Sequence, residues 1–171
     1  APWNTKTEIV RIQVEAPLPA AAQRPPANLV FLVDVSGSMN HSMKLPLLKQ
    51  GLREMVLGLE PTDTVAIVTY AGRSDVALPA TSAANRGKIL AAIDRLGAGG
   101  STNGADGILT AYKIASQNMK PDGVNRVILA TDGDFNVGTT DNASLTELIQ
   151  DQARTGVFLS IFGMGLYNIQ D

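Results

Sequence analysis

The sequence contains no cysteine. Disulfides, thiolate catalysis and zinc–thiolate sites are therefore excluded. The compartment stays open, because many secreted chains also lack cysteine. The one histidine, His41, has no evident partner for nucleophilic or general-base catalysis. Lysine and arginine form no cluster, and the formal net charge is −2. There is thus no electrostatic footprint for nucleic acid or an anionic membrane. No apolar run approaches the roughly 18 residues that a membrane-spanning helix needs. A G-x-x-x-x-G-K phosphate loop is absent. Gly97-Ala98-Gly99-Gly100 fails the G-x-G-x-x-G dinucleotide pattern at Thr102, and no strand directly precedes it. The first residues, Ala1-Pro2-Trp3-Asn4, lack the charged-then-apolar order of a signal peptide. The chain starts without Met and stops soon after Gly165-Leu166-Tyr167, as expected of a fragment of a longer protein.

What is present points to one α/β domain. With 171 residues and 44% apolar composition the chain can bury a full core. Val10, Ile12 and Val14 alternate with polar residues and predict a half-buried strand over 8–15. Pro17, Pro19, Pro25 and Pro26 make residues 16–27 a stiff extended connector. Residues 1–27 therefore form an accessory strand and linker. The run Leu29-Val30-Phe31-Leu32-Val33 then ends on Asp34. Five apolar residues in a row predict a strand buried on both faces, as in a parallel sheet. Leu45, Leu48, Leu52, Met55, Val56 and Leu59 recur at helical spacing, with Pro46 in the first turn. Thr64 to Tyr70 is a second strand, and Asp75 to Pro79 an antiparallel edge strand closed by Pro79.

Ile89, Leu90, Ile93 and Leu96 mark a second helix. A third presents Ala105, Ile108, Leu109, Tyr112, Ala115 and Met119. Val124 to Ala130 is a strand followed by Thr131-Asp132-Gly133. A fourth helix carries Leu145, Leu148, Ile149 and Gln152, with Ser144 as its N-cap, and Val157 to Phe162 is the last strand. Alternating strands and helices predict a doubly wound, mostly parallel sheet with helices on both faces and one antiparallel edge strand. The Asp34 strand is expected at its centre.

The chemistry gathers at strand ends. Asp34, Ser36 and Ser38 offer a carboxylate and two hydroxyls at alternate positions. Gly37 lets the backbone turn tightly enough to aim them at one point. Asp132 follows another apolar strand, and Thr102 lies in a glycine-rich loop that opens a helix. If the two strands are neighbours, five oxygen-bearing side chains surround one point at the ligand-binding edge of an open α/β sheet. Hard oxygen donors suit a Mg²⁺-like cation. Taken alone, Asp-x-Ser also serves as an ordinary helix cap. Asp134 and Asn136 are rim groups or plain loop residues. His41 reads as an exposed loop residue, and Met39 and Met43 as core fillers or as the rim of a partner surface.

D-V-S-G-S, the threonine of G-G-S-T-N-G and the aspartate of A-T-D-G together resemble the metal-ion-dependent adhesion site of the von Willebrand factor type A domain. The likeness covers roughly residues 28–165, and the domain is expected over 28–171. The strings L-P-L-L-K, A-I-V-T-Y-A-G and A-T-D-G-D-F-N-V-G resemble a bacterial, envelope-associated branch of that family. The resemblance implies a location on the periplasmic or extracellular face. It implies that Ser36 and Ser38 bind the metal through their hydroxyls, and Thr102 directly or through water. Asp34 and Asp132 would mostly hold metal-bound waters. Mg²⁺ is the expected ion, with Mn²⁺ and Ca²⁺ as the alternatives that availability decides. The partner it implies is a protein offering an Asp or Glu carboxylate, with no catalytic residue. The rival class is a metal-assisted phosphoryl transferase or hydrolase, which would need a nucleophile or general base beside the metal. The family ordinarily adds another strand and a closing helix after the point where this chain stops. Lying on surface loops, the site is expected to tolerate Asp34→Ala with the fold nearly intact.

Overall fold

The computed structural model describes residues 24–99, 105–133 and 142–165, with the side chains of residues 105, 106, 142 and 143 left aside. The accessory strand expected over 8–15 lies outside these residues. Strand β1 (Ala27–Asp34) is buried at every position. It begins at Ala27, one residue inside the connector that the prolines predict. The backbone there is fixed from across the sheet, since the Val124 N–H donates to the Pro26 carbonyl at 2.9 Å.

Helix α1 (Leu45–Leu57) follows, then β2 (Thr64–Ala71), β3 (Arg73–Ser82), α2 (Arg86–Arg95), α3 (Ala105–Gln117), β4 (Val124–Thr131), α4 (Asn142–Arg154) and β5 (Val157–Gly163). The sheet order is β3-β2-β1-β4-β5. β1 lies between β2 and β4 and is parallel to both, and β4 is parallel to β5. Among the described strands only β2 and β3 run antiparallel. The sheet is thus mostly parallel with one antiparallel edge strand, and the Asp34 strand is central.

Alternation along β1 divides the core. Leu29, Phe31 and Val33 pack with Leu45, Leu48, Leu52 and Val56 of α1 and with Ile89, Ala92 and Ile93 of α2. Val30 and Leu32 pack on the other face with Ile108, Ala111, Tyr112 and Ala115 of α3, against which Leu145 and Leu148 of α4 also lean. A strand clothed on both sides has no polar face to show, which is why its sequence runs apolar without interruption.

Three local expectations change. β3 extends through Pro79 instead of ending there. Its register with β2 shifts between Val65 and Ile67 and between Ile67 and Val68, and a proline without an N–H is tolerated at a bulge in an edge strand. Leu109 and Met119 were expected on the buried face of the third helix. They are 54% and 38% exposed, and the contact is made by Ile108, Tyr112 and Ala115, as expected, together with Ala111. Ser144 lies inside α4 and does not cap it, because the helix begins at Asn142.

Candidate functional site

Asp34 ends β1 and is wholly buried. One carboxylate oxygen accepts the Ser36 N–H at 2.8 Å. This side-chain bond to the backbone two residues on turns the chain away from the strand. The other oxygen accepts the Tyr70 hydroxyl at 3.3 Å and the Thr131 hydroxyl at 3.4 Å. Tyr70 is the register partner of Asp34 on β2, and Thr131 ends β4. Three neighbouring strands thus hold one carboxylate from below.

Beyond the turn, Gly37–Met39 forms one 3₁₀ turn. It drops Met39 fully into the core and leaves Ser38 exposed. The Ser36 and Ser38 hydroxyl oxygens lie 2.9 Å apart. Gly99 N–H donates to the Val35 carbonyl at 2.7 Å, which fastens the start of the glycine-rich loop beside the same strand end. Asp132 follows β4 directly and is 7% exposed. Gly133 takes a φ of +118°, open to glycine and rare for other residues, as the chain leaves the site.

Asp132 meets Lys44. The Lys44 ammonium lies 2.8 Å from its carboxylate and donates to the Ser38 carbonyl at 3.0 Å. Burial opposes ionisation of Asp132, but hydrogen bonds from Lys44 and Ser38 outweigh it and hold the carboxyl below its usual range. Burial pushes the Tyr70 phenol well above its ordinary value. The bond with Thr131 works against that rise, and the neighbouring Asp34 charge adds to it. Tyr70 therefore stays protonated and can donate.

Four of the five residues expected at the site thus share one end of the sheet. Thr102, Asp134 and Asn136 lie outside the described residues. His41 is exposed, its ring nitrogen accepting the Met43 N–H at 3.2 Å, and Met43 is exposed too. Sequence reasoning missed Tyr70, Thr131 and Lys44. Tyr70 and Thr131 could have been found as the terminal residues of strands flanking β1. Lys44 gives no such signal, since its partner is 88 positions away.

Among the described residues no three His, Cys, Asp or Glu side chains cluster. The donors are hydroxyls backed by two carboxylates, which is oxygen chemistry. Ligands of Mg²⁺ stand about 2.1 Å from it in near-octahedral array, so adjacent ligands are about 3 Å apart. The Ser36–Ser38 spacing of 2.9 Å fits such a pair. The cluster also already draws a cation, the Lys44 ammonium. The residues present therefore fit a divalent ion.

The sequence profile of the von Willebrand factor type A domain matches residues 29–134. The chain belongs to the von Willebrand factor type A domain family. YfbK of Escherichia coli K12 is 44% identical over 171 residues, which is 100% of this chain and 30% of that protein. Inter-alpha-trypsin inhibitor heavy chain H4 of Homo sapiens is 30% identical over 148 residues, 82% of this chain and 16% of its own length. The chain therefore spans less than a third of the length of either relative. Among solved structures, a von Willebrand factor type A protein from Catenulispora acidiphila superposes with a TM-score of 0.68 at 24% identity, over 81% of this chain and 33% of that one. Proximal thread matrix protein 1 from the mussel byssus, in a structure with a zinc-occupied MIDAS motif, superposes at 0.61 with 26% identity, over 82% of this chain and 36% of that one.

Proposed function

We propose that this type A domain is a metal-dependent protein-binding module. Its metal site is Asp34, Ser36, Ser38, Thr102 and Asp132, and its partner is a protein presenting an Asp or Glu side chain. The observation that carries this reading is the pair of serine hydroxyls at 2.9 Å beside the ring of Asp34 and Asp132. Ser36 and Ser38 would hold the cation through neutral oxygens. Asp34 has its oxygens engaged by Ser36, Tyr70 and Thr131, so it suits orienting ligands and bound water better than direct ligation. Thr102 would complete the set from the glycine-rich loop. When bound, Mg²⁺ supplies an electrophilic coordination position that a carboxylate can fill. Mn²⁺ and Ca²⁺ use the same oxygen donors.

A groove of about 370 Å³ is lined by Asn40, Pro46, Lys49, Arg53, Asp94 and Ala98 among others, with Asn40 two positions along the chain from Ser38. It offers a place for the partner residues that flank the carboxylate. We assign no catalytic residue. We place the domain on the periplasmic or extracellular face of a bacterial envelope, in keeping with its resemblance to that branch and its likeness to a bacterial relative.

Calorimetry tests the reading. The chain should bind one Mg²⁺, and a peptide bearing one glutamate should bind only with the metal present. Ser38 is exposed, so Ser38→Ala should lose most of the metal affinity with an unchanged circular dichroism spectrum. Undiminished Mg²⁺ binding by Ser38→Ala would remove the basis of the reading.

A further inference from the structure

Lys44 occupies a position that its own helix does not favour. Its carbonyl accepts the Leu48 N–H at 2.9 Å, which makes Lys44 the N-cap of α1. N-caps are ordinarily Ser, Thr, Asp or Asn, whose oxygens accept from the first free amides. Lysine has no acceptor, and its charge opposes the positive end of the helix dipole. Among the described residues no side chain caps this helix, and its first turn holds no acidic residue to offset the charge. A residue that breaks a local rule points to a gain elsewhere. Here the ammonium turns away from α1 to the Asp132 carboxylate at 2.8 Å and the Ser38 carbonyl at 3.0 Å. Its side chain is 17% exposed and that of Asp132 is 5% exposed. The contact is therefore largely shielded from water, where an ion pair is screened less than at the surface.

We infer that Lys44 is a tethered counter-ion that competes with the divalent metal for Asp132 and so sets the metal affinity of the site. This rests on the proposed metal site. In the metal-free chain Lys44 neutralises Asp132, which would otherwise be a buried carboxylate lacking a cation. In the metal-bound chain Lys44 would face a divalent charge at the same carboxylate, and like charges repel. Lys44 therefore swings out into solvent, at the rim where a partner would dock. Lys44 holds the empty site together and lowers its affinity for metal.

The test compares the chain with Lys44→Met, which keeps an unbranched side chain one atom shorter and removes the charge. Isothermal titration with Mg²⁺ should show binding tightened roughly tenfold, the order of one charge-assisted hydrogen bond. In EDTA the same variant should melt about 4 °C lower. A structural role alone would lower the melting temperature with and without metal and would not tighten binding. In the unsubstituted chain, acylation of Lys44 by an amine-reactive ester, read by mass spectrometry, should quicken when Mg²⁺ is added. This arm holds even if Lys44→Met folds poorly. Unchanged or weakened Mg²⁺ binding by the variant, or labelling that does not rise with metal, would overturn the competition and leave the metal site standing. Absence of Mg²⁺ binding in both chains would overturn the site and this inference together.

Discussion

Two buried carboxylates mark the two ends of the central strands. Asp34 is wholly buried and satisfied by Ser36, Tyr70 and Thr131. The sequence places it on a surface loop, where Asp34→Ala would spare the fold. The structure makes it part of the sheet, so truncation removes the acceptor that holds the Ser36 N–H and the Thr131 hydroxyl. Asp34→Ala should lower stability in EDTA by about 2 kcal/mol, measured by urea unfolding, besides losing metal. Asp63 stands just ahead of β2 and accepts from the Arg24 guanidinium, the Ala27 N–H at 2.7 Å and the Glu60 N–H at 2.8 Å. It ties the entry of β1 to the turn before β2. Burial works to raise its carboxyl, but the Arg24 bond and the two backbone bonds prevail and hold it below its ordinary value. A carboxyl depressed in the folded state stabilises the fold above its unfolded value of about 3.9, and that stability is lost as pH falls through the lower folded value. Asp63→Asn should lose stability at pH 7 and show a shallower decline as pH falls below about 4. Equal acid slopes for the two chains would remove Asp63 from the acid response.

At the scale of elements, the distance of α3 from the sheet matters most, because α3 follows the Thr102 loop. A Cβ on Gly107 would lie 3.0 Å from Leu32 Cδ1 and 3.2 Å from Tyr70 Cβ. The helix therefore rests on β1 and β2 through a missing side chain. Gly107→Val should push the start of α3 outward, cost about 1–3 kcal/mol by overpacking, and weaken metal binding, read together by thermal melting and calorimetry. Unchanged metal affinity in a destabilised variant would separate the packing of α3 from the site. The helix faces also show what periodicity can and cannot reveal. The α1 face was legible because Leu45, Leu48, Leu52 and Val56 are large and evenly spaced, and all four are buried. On α3 Ile108, Tyr112 and Ala115 were legible and are buried, but Leu109 and Met119 misled, while Gly107 and Ala111 in the close approach carry no hydropathy signal through their smallness. The aspartate and serines of the site were legible because they are local to strand ends. The Lys44–Asp132 pair was not, because it exists only once β1 and β4 lie side by side.

At the scale of the whole molecule, the sheet is unevenly clothed. α1 and α2 pack over β1 and β2, and β5 is the outer strand of the described sheet. Phe158 and Phe162 point to one face of β5 and are 50% and 52% exposed; Ile161 points to the other and is 61% exposed. An outer strand presents unpaired N–H and C=O groups, and flat apolar edges invite another strand. Natural edges are commonly blunted by lysine, proline or inward charge, and Val157–Gly163 has none of these. The net charge of −2 gives little long-range repulsion to oppose contact. This chain alone should therefore self-associate with rising concentration, most strongly near its isoelectric point of about 5.4 and less at pH 8, where it carries more negative charge. Phe158→Lys with Phe162→Lys should shift sedimentation velocity profiles toward monomer. Because both side chains are half exposed, little burial is lost, and melting should fall by no more than a few degrees. The proposed metal site lies at the ends of β1 and β4, so Mg²⁺ affinity should be unchanged in the double variant. A monomer at all concentrations in the unsubstituted chain would show that this edge is already protected. A double variant that lost metal binding would show that β5 and the site are coupled through β4.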